Sequence, residues 1–175
     1  STLIEGDVLI NGGESNTTSG DNYREDELVA YWTFDEDNST TNCVNQTGNQ
    51  ALDGNIIGTP RRVTGVKGGA FAFDGVDDRI IVDFNESLLL DKYSVSLWIY
   101  PQRNSDVDYT GLFGRSGRNY VIFLGNSSDP NNPFIHHRFG EGFNTNEGVN
   151  NFNLSGWKNW YHIVCSNGGI GGVAR

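Results

Sequence analysis

Between Tyr93 and Pro101 apolar and small polar residues alternate without a break. Val95, Leu97 and Ile99 share one parity, and Ser94, Ser96, Trp98 and Tyr100 share the other. Period-two alternation predicts a half-buried β-strand, with the aliphatic side toward a core and the Trp98–Tyr100 side outward. Leu28 to Phe34 reads the same way: Leu28, Ala30, Trp32 and Phe34 share a face, with Trp32 as a core residue. In the stretch Lys67 to Val82, Phe71 and Phe73 share one parity, with Ala70 and Ala72 opposite. Asp74-Gly75-Val76-Asp77-Asp78 then breaks the pattern, and Arg79 to Val82 resumes a β-branched run. That predicts two strands joined by an acidic turn. Further short strands are expected at Ile56-Ile57, Gly111–Gly114, Tyr120–Leu124, Phe134–Phe139, Asn150–Leu154 and Tyr161–Ser166, separated by glycine and Asp-Pro-Asn clusters. Leu88-Leu89-Leu90 fits either one helical turn or packing under a sheet. Many short strands with turn signals and no helical period predict an all-β fold of two stacked antiparallel sheets, a sandwich or jelly roll.

The first 27 residues stand apart. Leu3-Ile4 and Val8-Leu9-Ile10 flank Glu5-Gly6-Asp7, and a polar Gly/Ser/Thr/Asn stretch follows from Asn11 to Asn22. Residues 1–27 therefore read as a strand-like tail and polar linker, and 28–175 as the domain. The tail is either frayed or a strand that pairs with a sheet edge, its own or a neighbour's.

Charge narrows the classes of partner. Twenty-two acidic against twelve basic side chains give −10, which argues against nucleic acid and anionic membrane surfaces. No apolar run approaches the length of a membrane span and no signal peptide is evident, so membrane insertion is not expected. Met is absent, so the start at Ser1 reads as processed or trimmed. Six positions fit the glycosylation pattern Asn-X-Ser/Thr: Asn16, Asn38, Asn45, Asn85, Asn126 and Asn153. They point to a secreted or cell-surface protein, or to no more than loops rich in Asn, Ser and Thr. Cys43 and Cys165 permit one disulfide or remain two thiols.

Gly68-Gly69-Ala70-x-x-Phe73-Asp74-Gly75-x-Asp77-Asp78, followed by an apolar strand, resembles the laminin-G-like (concanavalin A-like lectin/glucanase) family. Leu28–Glu36, Tyr93–Pro101 and Trp157–Val164 resemble three more of its blocks, in the right order. The resemblance spans roughly residues 28 to 166 and implies the jelly roll. It is incomplete, because the family continues with strands that close both sheets, while here the chain runs into Gly168–Gly172 and Arg175. A fragment, an N-terminal segment filling the vacancy, and a strand from another chain are the three explanations.

The resemblance also frames the chemistry. Glucanases of this fold carry their carboxylates as Glu-x-Asp-x-x-Glu on one strand. Glu5-Gly-Asp7-Val-Leu-Ile10 fails at the last position and nothing else comes close, so no enzyme activity is expected. His136 and His137 are adjacent on a strand and must point to opposite faces. Calcium is the expected cofactor, because relatives bind it through loop oxygens. Asp74, Asp77 and Asp78 are the candidate ligands, with Asp35 and Asp37 in another turn and Asp106 with Asp108 in half a calcium loop. The alternative for the Asp74 turn is carboxylates capping backbone N–H groups.

The expected function is a non-catalytic extracellular binding or adhesion module for a glycan or cell-surface protein. Tyr109, Tyr120 and Trp157 are the candidate ligand-stacking aromatics, provided they are exposed. The alternative is a structural subunit of an extracellular filament or virion surface, a homo-oligomer by strand exchange, in which the tail or a neighbour's strand completes the sandwich.

Overall fold

A computed structural model of the chain describes residues 2–12, 28–90, 92–102, 109–115, 120–126, 133–139 and 148–167. These form thirteen strands in antiparallel sheets, with no α-helix among the described residues. The strands are β1 (Thr2–Gly12), β2 (Leu28–Trp32), β3 (Asn42–Cys43), β4 (Gly54–Ile57), β5 (Arg61–Thr64), β6 (Gly69–Phe73), β7 (Arg79–Val82), β8 (Tyr93–Pro101), β9 (Tyr109–Gly114), β10 (Tyr120–Asn126), β11 (Pro133–Phe139), β12 (Gly148–Asn153) and β13 (Tyr161–Asn167). The largest sheet runs β13-β8-β1-β6-β5, with β2 also paired to β1. A four-stranded sheet runs β12-β11-β10-β9, and a three-stranded sheet β3-β4-β7. No helix among the described residues is long and apolar enough to cross a membrane.

The alternating run sits where its pattern requires. Tyr93, Val95, Leu97, Ile99 and Pro101 of β8 are buried and the residues between them half-buried. One core draws on all three sheets: Ala30, Trp32, Phe71, Val95, Leu97 and Ile99 from the large sheet, Cys43 from the small one, and Ile122, Leu124 and Ile135 from the four-stranded one. Burying each large apolar side chain contributes roughly 1.5–3 kcal/mol. Trp32 is a core residue, and its indole N–H donates to the Leu52 carbonyl at 2.9 Å. A polar link crosses between sheets, where the Tyr93 hydroxyl lies 2.9 Å from Nε2 of the fully buried His137. Leu88 closes a single 3-10 turn, Glu86–Leu88, capped by Asn85; Leu88 and Leu90 pack on the core while Leu89 is exposed.

The Gly68-Gly69 pair has a steric cause. Phe34 takes a left-handed φ of 56°, so the chain turns a sharp corner after β2. The corner docks on Gly69, where a Cβ would collide with the Phe34 carbonyl oxygen. The Asp35 carboxylate accepts from the Gly69 N–H at 2.7 Å. Arg62 braces the same corner. Its guanidinium lies 4.5 Å from the Phe71 ring centre, donates to Glu36 Oε2 at 3.1 Å and the Phe34 carbonyl at 3.3 Å, and reaches Thr40 Oγ1 at 2.9 Å. The basic Arg61-Arg62 pair is thus the start of a strand, and Arg62 is a half-buried clamp.

The N-terminal segment differs most from expectation. It is a strand, but an interior one. Thr2 to Glu5 pair with Phe73 to Ala70 of β6 on one side and with Pro101 to Trp98 of β8 on the other. Beyond a register shift between Glu5 and Leu9, Leu9 to Gly12 pair with Ser96 to Tyr93 of β8, and Val8 to Asn11 pair with β2. Ile4, Val8 and Ile10 stand in register with Ile99, Trp32 and Val95, and those three partners are buried. Parity along β1 therefore matches the core across the bulge.

Candidate functional site

The four-stranded sheet carries an aromatic outer face, built by register. Pairing sets Tyr109, Gly125, Phe134 and Asn153 in one cross-strand row, and Gly111, Phe123, His136 and Asn151 in the next. On β11 the alternate residues Pro133, Ile135 and His137 are buried, so Phe134, His136 and Arg138 stand on the opposite side. Tyr109 is 48% exposed and is the hub. Its ring centre lies 5.8 Å from Phe123 and 6.0 Å from Phe134, both edge-on, and 5.0 Å from His136. Edge-to-face contacts at these separations add about 0.5–1.5 kcal/mol beyond burial and hold the ring in place. The His136 Nδ1 lies 2.7 Å from the Asn151 side-chain oxygen, which orients the imidazole.

Two glycines shape this face. A Cβ at Gly125 would strike the Phe134 ring, so glycine there lets Phe134 lie flat across β10. A Cβ at Gly111 would meet nothing within 4 Å, so the surface beside Phe123 is open. The result is a shallow patch of fixed rings bordered by imidazole and amide groups. It can stack on an apolar ring face and exchange hydrogen bonds with hydroxyls.

A second aromatic group lies on the large sheet. His162 stacks on Trp98 at 4.9 Å and 22°, with its Nε2 2.8 Å from Ser96 Oγ, and Tyr100 lies 5.3 Å from Trp160. Trp98 and Tyr100 are only half-buried, as the alternation of β8 predicts.

The other expected site residues are distributed as follows. Tyr109 belongs to the aromatic face. Trp157 is half-buried against the core, so it is not the exposed platform it was expected to be. The Tyr120 side chain lies outside the described residues, as do Asp106 and Asp108. Phe123, Phe134 and His136 were legible only as strand residues, because cross-strand register is invisible along the chain. Their one signal is an aromatic at alternate positions of consecutive strands.

Asp74, Asp77 and Asp78 do converge, each offering an oxygen within 4.8 Å of the others. Most of that capacity serves the turn itself. Asp74 Oδ1 accepts from the N–H of Val76 at 2.7 Å, Asp77 at 3.3 Å and Asp78 at 3.5 Å. Asp78 accepts from the N–H of Thr59 at 2.7 Å and of Asp74 at 3.0 Å. The bond from the Val76 N–H, first among these, holds the Asp74 carboxyl below the usual range. Calcium takes six to eight oxygens, and the donor set fits it weakly; the geometry accounts for Asp74 and Asp78 as turn caps. Asp35 and Asp37 do the same work, on Gly69 and Ser39.

The cysteines are a correction. Cys43 on β3 and Cys165 on β13 are free thiols, each fully buried on a different sheet, not a disulfide. Burial pushes both thiols up to about 12, so they remain protonated and inert. Among the sequons, Asn45 is also corrected: it is 3% exposed and its amide is committed. Its oxygen accepts from the Tyr31 N–H at 2.9 Å, and its nitrogen donates to Thr47 Oγ1 at 2.6 Å and the Asn49 carbonyl at 3.0 Å. It pins the 45–53 loop to β2 and leaves no nitrogen for a glycan. Asn85 is half-buried as the 3-10 cap, Asn38 and Asn153 are exposed, and Asn16 and the Asn126 side chain lie outside the described residues.

Comparison with protein-family models, with curated proteins and with solved structures finds no match.

Proposed function

We propose that this chain is a non-catalytic extracellular binding module that holds a neutral glycan on the outer face of the β12-β11-β10-β9 sheet. The observation that carries the reading is the exposed Tyr109 ring, fixed by Phe123, Phe134 and His136, with Asn151 and Asn153 at the β12 end of the same cross-strand rows. Pyranose rings present C–H faces that stack on aromatics, and their hydroxyls need donors and acceptors nearby; this patch supplies both. Because its rings are already packed, little side-chain entropy is lost on binding. A net charge of −10 disfavours sulfated and sialylated glycans.

The jelly-roll sandwich of laminin-G-like type is the architecture that goes with this reading. It is supported by the acidic turn that carries the chain from β6 in the large sheet to β7 in the three-stranded one, by the alternating β8 and by the core shared between sheets. Exposed Asn38 and Asn153 support a secreted or cell-surface setting.

A glycan array tests the proposal. Wild-type protein is expected to bind a subset of neutral glycans, and Tyr109→Ala to lose at least tenfold in affinity while still unfolding in one cooperative thermal transition. Binding confined to anionic glycans, or equal binding by Tyr109→Ala, rejects it.

A further inference from the structure

β1 is the strand on which the large sheet depends, and its place in the sheet does not fix which copy supplies it. It joins β8 on one side to β6 and β2 on the other, so without it the sheet order β13-β8-β1-β6-β5 splits in two. Its ladders to β6 and β8 join β1 to residues far along the chain: Ile4 with Ile99 and Phe71, Ile10 with Val95. The β8 side of the slot for β1 is incomplete until Pro101 has been made, so the β1–β8 ladder closes only after the intervening strands exist. Its link to β2 is residues 13–27, whereas a hairpin of this kind closes with a loop of about two to five residues. Fully extended, that link reaches about 50 Å, farther than the sheet is wide.

From this topology we infer that β1 is exchangeable: it inserts between β8 and β6/β2 of a second copy of this chain in the same register it uses at home. The ladders are identical in both arrangements, so only chain entropy separates them. A strand tethered by a link of this length is present at its own slot at an effective concentration on the order of millimolar. Dilute chains therefore close on themselves. Chains folded together near that concentration, or crowded on a surface, exchange strands. Reciprocal exchange gives a closed dimer, and head-to-tail exchange gives a filament. The inference is independent of the glycan reading.

Register supplies the test, because Asn11 of β1 stands opposite Ser94 of β8. Two full-length chains are prepared, one Asn11→Cys and one Ser94→Cys, with different affinity tags. They are mixed in denaturant and refolded under reductant, which is then removed. Neither chain can close an Asn11–Ser94 bridge alone, so a disulfide-linked pair carrying both tags reports β1 in trans. The expected result is a linked fraction that rises at least tenfold between about 10 µM and about 1 mM chain during refolding. The double variant Asn11→Cys/Ser94→Cys is expected to close within one chain at the lower concentration. If the double variant closes and the mixed pair never links at any concentration, exchange is rejected. If the double variant does not close, the register is wrong and the inference falls with it. Glycan binding by the refolded protein is scored separately, so loss of one result leaves the other intact.

Discussion

At the scale of single residues, two glycines separate steric from conformational cause. Gly69 is required because the Phe34 carbonyl sits where a Cβ would be, and that carbonyl belongs to a backbone corner with little room to shift. Gly48 has a φ of +85° and open space around it. Gly69→Ala is expected to lose about 2–3 kcal/mol in urea unfolding, and Gly48→Ala about 1 kcal/mol from the left-handed backbone alone. Equal losses would contradict the close approach. His137 makes a pH prediction. Burial, with the neighbouring His136, lowers it from 6.5 to about 4. Its unfolded form therefore binds a proton that the folded form does not between those values. Its contribution is fully present above about pH 6.5, falls with pH at up to ~1.4 kcal/mol per unit, and levels off below about 4. His137→Gln is expected to flatten that window in chemical denaturation; an unchanged slope would show that the imidazole titrates normally. Asp74 separates capping from cation binding. Asp74→Asn keeps the acceptor oxygen and is expected to hold stability, while Asp74→Ala loses it, with calcium without effect on melting of either. Equal damage from both variants, with calcium-dependent melting of the parent, would mark a cation site.

At the scale of elements, what the chain reveals is local pattern. β8 was legible because its two faces meet different surroundings along nine residues, and β6–β7 because aspartate and glycine mark the turn between them. β5 carries no apolar alternation, since it opens on Arg61 and Arg62, and the Arg62 guanidinium lies over Phe71. The interior place of β1 was hidden for a different reason: parity predicts a strand, but not the strands beside it. Residues from β6, β2 and β8 meet at β1, and none of those pairings is adjacent in sequence. The aromatic face escaped notice similarly, since Tyr109, Phe123, Phe134 and His136 come from three strands. Two measurements check β1. Its amides are expected to exchange as slowly as those of β8, whereas a frayed tail would exchange at once. Ile10, in register with buried Val95 and Ala30, is expected to lose at least about 3 kcal/mol on change to Asp, and Asn11, in register with Ser94, to tolerate the same change. Equal tolerance at both positions would contradict the register.

At the scale of the whole molecule, the proposed glycan face and the strand proposed to exchange lie on different sheets. The large sheet is held together by the N-terminal strand, which pairs with β6 and β8 far along the chain. The four-stranded sheet turns its buried face, with Ile122, Leu124, Ile135 and His137, to the common core and its aromatic face outward. A contact made by β1 in another copy would leave that outward face open, so assembly and ligand binding are compatible. The most direct measurement is a titration with neutral oligosaccharides followed by backbone amide shifts. The shifts are expected to gather at Gly111, Phe123, His136 and Asn151, and to vanish in Tyr109→Ala. Shifts gathered instead around Ser96, Trp98 and His162, or saturable binding that survives Tyr109→Ala unchanged, would contradict the account.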